Sequence, residues 1–172
     1  MKKYWPVLVI VLILLVVLMW PPIISEVRRQ IAKEVVATWK EVVQYTIVLN
    51  VSIFRAEAAY TAWVLAMIAQ ESNGIADKVN PKDPAYGLMQ ITPPLLADYN
   101  RLNHKSYTIA DMKIPYKNLQ VGIWFFDLLY HSYNDYDKAV MAYNAGQGNL
   151  EGGRPHLNLV KEYLSVIQPL IA

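Results

Sequence analysis

The sequence predicts a mainly α-helical protein in which one N-terminal transmembrane helix precedes a globular domain. Apolar residues recur at helical spacing through most of the chain after residue 24, and strand-like alternation is scarce. The uncharged run 4–25 is long enough to span a lipid bilayer. A chain of 172 residues has room for one ordinary domain and an appendage.

The composition excludes several classes of protein. Hydrophobic residues make up 55% of the chain and charged residues 17%, which excludes intrinsic disorder. The 16 Lys and Arg nearly balance the 14 Asp and Glu, so no nucleic-acid partner is expected. Without cysteine there is no disulfide, thiol nucleophile or cysteine-based metal site. His104, His131 and His156 lack ligand spacing, so no metal site is predicted.

Residues 1–24 have the pattern of a cytoplasmic tip and a transmembrane signal-anchor. Two lysines precede the apolar run, and Trp5 and Trp20 flank it as interfacial aromatic residues. As a helix, the uncharged run extends roughly 33 Å, which matches a hydrocarbon core of about 30 Å. Pro21 and Pro22 are expected to end this helix. The alternative is a cleaved signal peptide, which the residues after Trp20 disfavour because they offer no small-residue cleavage site.

The predicted topology is that of a single-pass membrane protein. Its N-terminus lies in the cytoplasm, residues 4–25 contact membrane lipid, and the rest of the chain is periplasmic or otherwise extracytoplasmic. A bacterial inner membrane and a membrane-containing virion both fit this anchor. The sequence therefore leaves open whether the protein serves a cell-envelope or a virion assembly.

Residues 25–54 are predicted to form an amphipathic connector helix and a linker. Ser25 is the expected N-cap of the helix. The apolar residues that recur at helical spacing are Val27, Ile31, Val35, Trp39 and Val42. We interpret this helix as a stalk or as the first packed helix of the domain, with a membrane-surface or partner-docking role as the alternative. The β-branched stretch 46–54 is ambiguous.

The globular domain is expected to span residues 55–172. Its predicted helices are 55–72, 119–133, 139–144 and about 157–167. Gly74 is a natural stop for the first of these helices. The stretch 74–86 contains glycine and proline among polar residues, so a structured loop is expected there.

Three short clusters carry residues suited to chemistry. They are Gln70-Glu71-Ser72, Gly87-Leu88-Met89-Gln90-Ile91 and Ala142-Tyr143-Asn144-Ala145-Gly146. Glu71 ends an apolar helix, where low dielectric and the negative end of the helix dipole favour the protonated form that a general acid needs. The alternative is an exposed glutamate that only ends the helix.

The other two clusters also have two interpretations each. Gly87 before an apolar run indicates a close approach of the backbone to another group. Gln90 and Asn144 can each donate and accept hydrogen bonds with amides or hydroxyls. Asn144 to Gly146 is equally compatible with a plain helix C-cap.

Together the clusters resemble the soluble lytic transglycosylase (SLT) domain family, lysozyme-like enzymes related to goose lysozyme that cut peptidoglycan. The resemblance covers about 63–167. Its motifs are Glu-Ser at 71–72, Gly-Leu-Met-Gln at 87–90, Asn118-Leu119 with Gly122 three residues on, and Ala-Tyr-Asn-Ala-Gly at 142–146. The resemblance implies a lysozyme-like fold for the domain and peptidoglycan glycan strands as its partner.

By this resemblance Glu71 is the catalytic acid/base. Met89 is expected to pack against the substrate. The residues expected to line the sugar groove are Ser72, Gln90, Tyr143 and Asn144. One departure is Leu159, which stands before Val160 where family members usually carry Tyr; Tyr163 is the alternative source of that polar contact.

The activity that the resemblance implies is cleavage of the β-1,4 bond between N-acetylmuramic acid and N-acetylglucosamine, with a 1,6-anhydromuramoyl product and no cofactor. One alternative is a hydrolytic lysozyme, which generally needs a second carboxylate. Asp77 and Asp83 are the only acidic residues between Glu71 and Gly87. The other alternative is a catalytically idle cell-wall-binding assembly component.

Overall fold

The computed structural model describes residues 5–50 and 58–172, and side chains in 20–49 and 58–172. The helices are α1 (Trp5–Asn50), α2 (Ala58–Ser72), α3 (Pro93–Asn103), α4 (Pro115–Tyr133), α5 (Tyr136–Ala145) and α6 (Arg154–Ile171). The strands β1 (Val79–Asn80) and β2 (Ala85–Tyr86) form one antiparallel ribbon in which Val79 pairs with Tyr86. Short 3₁₀ turns cover Ala110–Lys113 and Leu150–Gly153. The predicted mainly α class is confirmed.

The first helix is longer than predicted. Pro21 and Pro22 lie inside α1, so the expectation that they end a helix is wrong. Ser25 is not an N-cap, because its hydroxyl donates to the Pro22 carbonyl at 2.9 Å within the same helix. Proline fixes φ near the helical value, so it is compatible with helical backbone although each proline removes one backbone hydrogen-bond donor. The connector is therefore the second half of one helix.

The predicted transmembrane segment falls mostly on residues 1–19, whose side chains lie outside the described part of the chain. Among the residues that the structure describes, no helix combines the length and apolarity needed to cross a bilayer.

The second half of α1 packs against α2, α4 and α6. Ala32, Val35, Val43 and Ile47 are buried and belong to the same apolar core as those helices. The Trp39 indole N–H donates to the Gly74 carbonyl at 3.0 Å. This part of α1 therefore supports the turn that follows α2.

Helix α2 is the centre of the core. Every residue from Tyr60 to Ala69 is buried, so the helix is in contact with the protein on all sides, as expected of a helix that is apolar all round. Glu71 follows in the last turn, where α2 reaches the surface. The helix that carries the predicted acid is thus enclosed by the core along most of its length.

Two elements between α2 and α4 were not predicted. Helix α3 has Thr92 as its N-cap and prolines in its first turn, but only Leu96 and Tyr99 are buried, so its apolar pattern is sparse. Each ribbon strand has two residues, too few to produce a recognisable alternation. The ribbon occupies the predicted structured loop and brings its turn towards Glu71.

Candidate active site

A groove runs across the domain from the end of α2. Its inner part is a cavity of about 190 Å³ lined by Glu71, Asn80, Asp83, Ala85, Gln90, Thr92, Tyr143 and Asn144. A cavity of about 350 Å³ shares four of these residues and extends towards Leu95 and Phe125. The two cavities therefore adjoin and form one groove between the ribbon, α3 and α5.

The structure brings four of the six predicted site residues to this groove. Glu71, Gln90, Tyr143 and Asn144 all line its inner cavity. Ser72 and Met89 are fully buried, so their side chains lie behind the groove wall. In this structure these two residues contact the protein itself rather than the groove.

Glu71 is held at the end of α2 by local hydrogen bonds. The Ser72 hydroxyl donates to the Ile68 carbonyl at 3.0 Å and accepts from the Gly74 N–H at 3.2 Å. Asn73 (φ +56°) and Gly74 (φ +78°) both have left-handed backbone after Ser72, so the helix ends here, with Gly74 at the predicted stop. The Lys78 ammonium donates to the Glu71 backbone carbonyl at 2.8 Å, which ties the following loop to the helix end.

The turn at 87–90 depends on a close backbone approach, which confirms the prediction for Gly87. This residue has φ +76°, and a Cβ on it would lie 2.2 Å from both Asn118 Nδ2 and the Met112 carbonyl oxygen. The Gln90 side-chain amide donates to the Gly87 carbonyl at 2.8 Å. Gln90 itself has φ +48° and is thereby turned to the groove.

Buried Asn118 fixes this turn from below. Its amide nitrogen donates to the carbonyls of Tyr86 at 2.8 Å and Met112 at 2.9 Å. Its Oδ1 accepts from the Met89 N–H at 2.9 Å. One turn further along α4, Gly122 leaves space for Met89, because a Cβ there would lie 2.4 Å from the sulfur.

Tyr143 links α5 to the same turn. Its hydroxyl donates to the Met89 carbonyl at 2.9 Å. Burial, and secondarily the negative charge of Glu71, raise the pKa of Tyr143 well above its ordinary range, so the phenol remains a donor. Gly146 caps α5 with φ +82° while Asn144 lines the groove, so both interpretations of this motif apply.

Sequence reasoning missed His156, which comes from the first turn of α6. Its Nε2 lies 3.3 Å from Glu71 Oε1, and the two side chains are 10% and 14% exposed. Nothing local in the sequence marks this pair, because it forms only when α6 packs against α2. Tyr163 is buried in the core, and neither it nor Leu159 lines the groove cavities described above.

The two candidate second carboxylates differ in position. Asp83 is exposed in the ribbon turn and lines the inner cavity, whereas Asp77 does not line it. Asp83 is therefore the one of these two carboxylates that shares a cavity with Glu71.

The chemistry available in the groove is that of the mostly buried Glu71 carboxyl, with the exposed Asp83 at the edge of the same cavity and neutral polar groups along its walls. Glu71 can give and take a proton, and the side chains of Asn80, Gln90, Thr92 and Asn144 offer amide and hydroxyl partners. Such partners suit an uncharged, hydroxyl- and amide-bearing substrate.

Solved structures with a similar fold are lytic transglycosylases. An inactive Glu-to-Gln variant of the enzyme from Pseudomonas aeruginosa matches with a TM-score of 0.65 and 18% identity, over 77% of this chain and 24% of that chain. The 70-kDa soluble lytic transglycosylase bound to bulgecin A matches with a TM-score of 0.59 and 16% identity, over 82% and 23%. The Escherichia coli 70-kDa enzyme matches at 0.50 and 21%, over 64% and 20%.

These identities establish similarity of fold, and this chain spans about a quarter of the length of those proteins. A comparison with curated proteins found no match. The sequence model of the transglycosylase SLT domain matches residues 53–154, which include every motif of the groove up to Gly146. That match covers more than half of the chain, and the chain belongs to the transglycosylase SLT domain family.

Proposed function

We propose that this protein is a peptidoglycan lytic transglycosylase. It would cleave the β-1,4 bond between N-acetylmuramic acid and N-acetylglucosamine and leave a 1,6-anhydromuramoyl end. The observation that carries the proposal is Glu71, a carboxyl 14% exposed at the inner end of a groove with amide and hydroxyl walls. The neighbouring structures support it, since one is an inactive Glu-to-Gln variant of a lytic transglycosylase.

The proposed reaction uses Glu71 twice. In the first step its carboxyl protonates the glycosidic oxygen as the bond from that oxygen to the muramoyl C1 breaks. In the second step the resulting carboxylate takes the proton of the muramoyl 6-hydroxyl, whose oxygen bonds to C1. The proton that left Glu71 is thereby replaced, and no water enters the product.

The walls of the groove would hold the sugar rings. Gln90 and Asn144 offer amides to the acetamido and hydroxyl groups of the glycan, and Thr92 offers a hydroxyl. The developing positive charge at C1 would be stabilised by the substrate's own acetamido group. A second protein carboxylate is then unnecessary.

A hydrolytic lysozyme is the second candidate, and the position of Asp83 favours it. A hydrolase with two carboxylates places them about 5–5.5 Å apart when it retains configuration and about 6.5–9.5 Å apart when it inverts. Asp83 lines the same cavity as Glu71. However, it is exposed and flanked by Lys82 and Pro84 in the ribbon turn, so its position has a simple explanation as a solvated side chain.

The products distinguish these two reactions. Digestion of purified sacculi should yield 1,6-anhydromuramoyl ends, which mass spectrometry identifies because they are lighter than hydrolytic ends by one water. Asp83→Asn should keep its activity within about threefold of the wild type, since a catalytic carboxylate would be worth roughly 10²- to 10⁴-fold. Asp77→Asn is the matched control outside the cavity. Mainly reducing muramoyl ends together with an inactive Asp83→Asn would make this protein a lysozyme.

We also propose that residues 4–25 anchor the protein in a membrane, with the groove on the extracytoplasmic side. The support is the uncharged run itself and the two lysines before it. Where the described side chains of α1 begin, the apolar Trp20, Ile23 and Val27 are exposed. Exposed apolar side chains at this end of the helix suit contact with the lipid interface.

The full-length protein should stay in the membrane fraction after alkaline washing, and a reporter fused after Ala172 should behave as extracytoplasmic. Val11→Arg combined with Leu15→Arg should release it, because each central arginine costs about 2.5–3.5 kcal/mol on insertion. A soluble mature protein that begins near Ser25 would instead identify the segment as a cleaved signal peptide.

A further inference from the structure

His156 and Glu71 form an enclosed pair at the inner end of the groove. The imidazole Nε2 lies 3.3 Å from Glu71 Oε1, and both side chains are mostly buried. One residue lies in the first turn of α6 and the other in the last turn of α2, two helices in extensive contact. The distance is therefore set by the packing of two core helices rather than by a surface loop.

The Glu71 carboxyl is the partner that the structure places beside the His156 Nε2. Nε2 of His156 is buried and has no aligned hydrogen bond among the described residues. A buried polar nitrogen without a partner costs free energy, and the Glu71 carboxyl at 3.3 Å can satisfy it after a small rotation. Catalytic hydrogen bonds are often poorly aligned before the substrate binds and tighten in the complex.

Three other charged or titratable side chains lie near Glu71: Lys78, Tyr143 and Asp83. The Lys78 ammonium is hydrogen-bonded to the Glu71 backbone carbonyl, and the Tyr143 hydroxyl to the Met89 carbonyl. Asp83 lies in the exposed ribbon turn. Among the described charged and titratable side chains, the imidazole is the one recorded within hydrogen-bonding distance of Oε1.

We propose that His156 is a positioning residue for Glu71, an inference that rests on the proposed function. The Nε2–H donates to Oε1, so the acidic proton resides on Oε2, which is the oxygen left for the glycosidic bond. When that proton leaves, the same donor stabilises the carboxylate. The 6-hydroxyl proton then returns to Glu71, and the imidazole neither gains nor loses a proton.

Two amide substitutions test this role. The side-chain nitrogen of His156→Gln reaches about as far as Nε2, whereas that of His156→Asn is one bond shorter and misses Oε1. We expect His156→Asn to lower kcat by about 10- to 100-fold with KM within about threefold, the range expected for a misplaced catalytic group. His156→Gln should restore most of kcat. The substrate is soluble, uncross-linked peptidoglycan strands, with anhydromuramoyl ends counted by mass spectrometry.

The control is His104→Asn, at an exposed position with φ +51° that asparagine tolerates. Its kcat should equal that of the wild type. If His156→Asn is unfolded at the assay temperature, His156→Leu replaces it, since leucine keeps the volume without the donor.

The inference is overturned if His156→Asn keeps kcat within threefold of the wild type, or if its loss of activity appears in KM alone. It is also overturned if His156→Gln is as slow as His156→Asn. Glu71→Gln assayed in parallel distinguishes failure of the proposed function from failure of the role of His156. An active Glu71→Gln means that the proposed function itself fails. An inactive Glu71→Gln beside a normal His156→Asn means that only the role of His156 fails.

Discussion

Glu71→Gln should lower the rate of peptidoglycan cleavage by at least 10²- to 10⁴-fold, the usual worth of general acid/base catalysis. Glutamine keeps the size of the side chain and can still hydrogen-bond to His156. It cannot supply a proton to the glycosidic oxygen or accept one from the 6-hydroxyl. Replacing the carboxyl by an amide blocks both proposed steps, so a loss of rate at the upper end of this range is expected.

The measurement is the release of soluble fragments from purified sacculi, with thermal unfolding to confirm that the fold is intact. Glu41→Gln is the matched control, since Glu41 is exposed on α1 and does not line the groove. Clearing by Glu71→Gln within threefold of the wild type, with unchanged folding, would remove Glu71 from the mechanism.

Features that depend on local sequence could be predicted. Glu71 lies in the last turn of a helix that is apolar on every face, and Asn73 and Gly74 end that helix by their left-handed backbone. Gly87 before an apolar run predicts a close backbone approach, because glycine has no Cβ to prevent it. In the structure the close neighbours are the Asn118 side chain and the Met112 carbonyl. Each of these signals lies within a few residues of its effect.

Features that depend on distant packing could not be predicted. His156 meets Glu71 only because α6 lies against α2, and no spacing in the sequence encodes that contact. Asp83 reaches the groove because a ribbon with two residues per strand folds the loop over it. The length of α1 was missed because prolines usually interrupt helices, whereas here residues beyond them gain burial in the core.

The motif residues fall into two groups that sequence alone did not separate. Glu71, Gln90, Tyr143 and Asn144 line the groove. Ser72 and Met89 are buried and hold the backbone that presents those side chains. The motifs identify which residues belong to the site, and the structure shows whether each residue lines the groove or supports the backbone behind it.

Among the supporting residues, Asn118 should be the least tolerant of a change in chemistry. In the wild type the Asn118 amide nitrogen faces two carbonyl oxygens at 2.8 and 2.9 Å. Asn118→Asp keeps the shape of the side chain but places a carboxylate oxygen where that donor was. The side chain is fully buried, so water cannot solvate the new charge. We expect a loss of about 3–5 kcal/mol in the free energy of unfolding at pH 7, the size seen when a buried charge lacks its partner.

Chemical denaturation at two pH values tests this expectation. Burial raises the pKa of such a carboxyl in the folded state, so the destabilisation should be largest at pH 7 and smaller at pH 4, where the protonated side chain again has one donor. Asn158→Asp on the exposed side of α6 is the control and should change stability by less than about 0.5 kcal/mol. An Asn118→Asp protein as stable as the control at pH 7 would show that the three hydrogen bonds of Asn118 do not hold the 87–90 turn. Because that turn carries Gln90 and receives Tyr143, its loosening should also lower activity at temperatures where the variant is still folded.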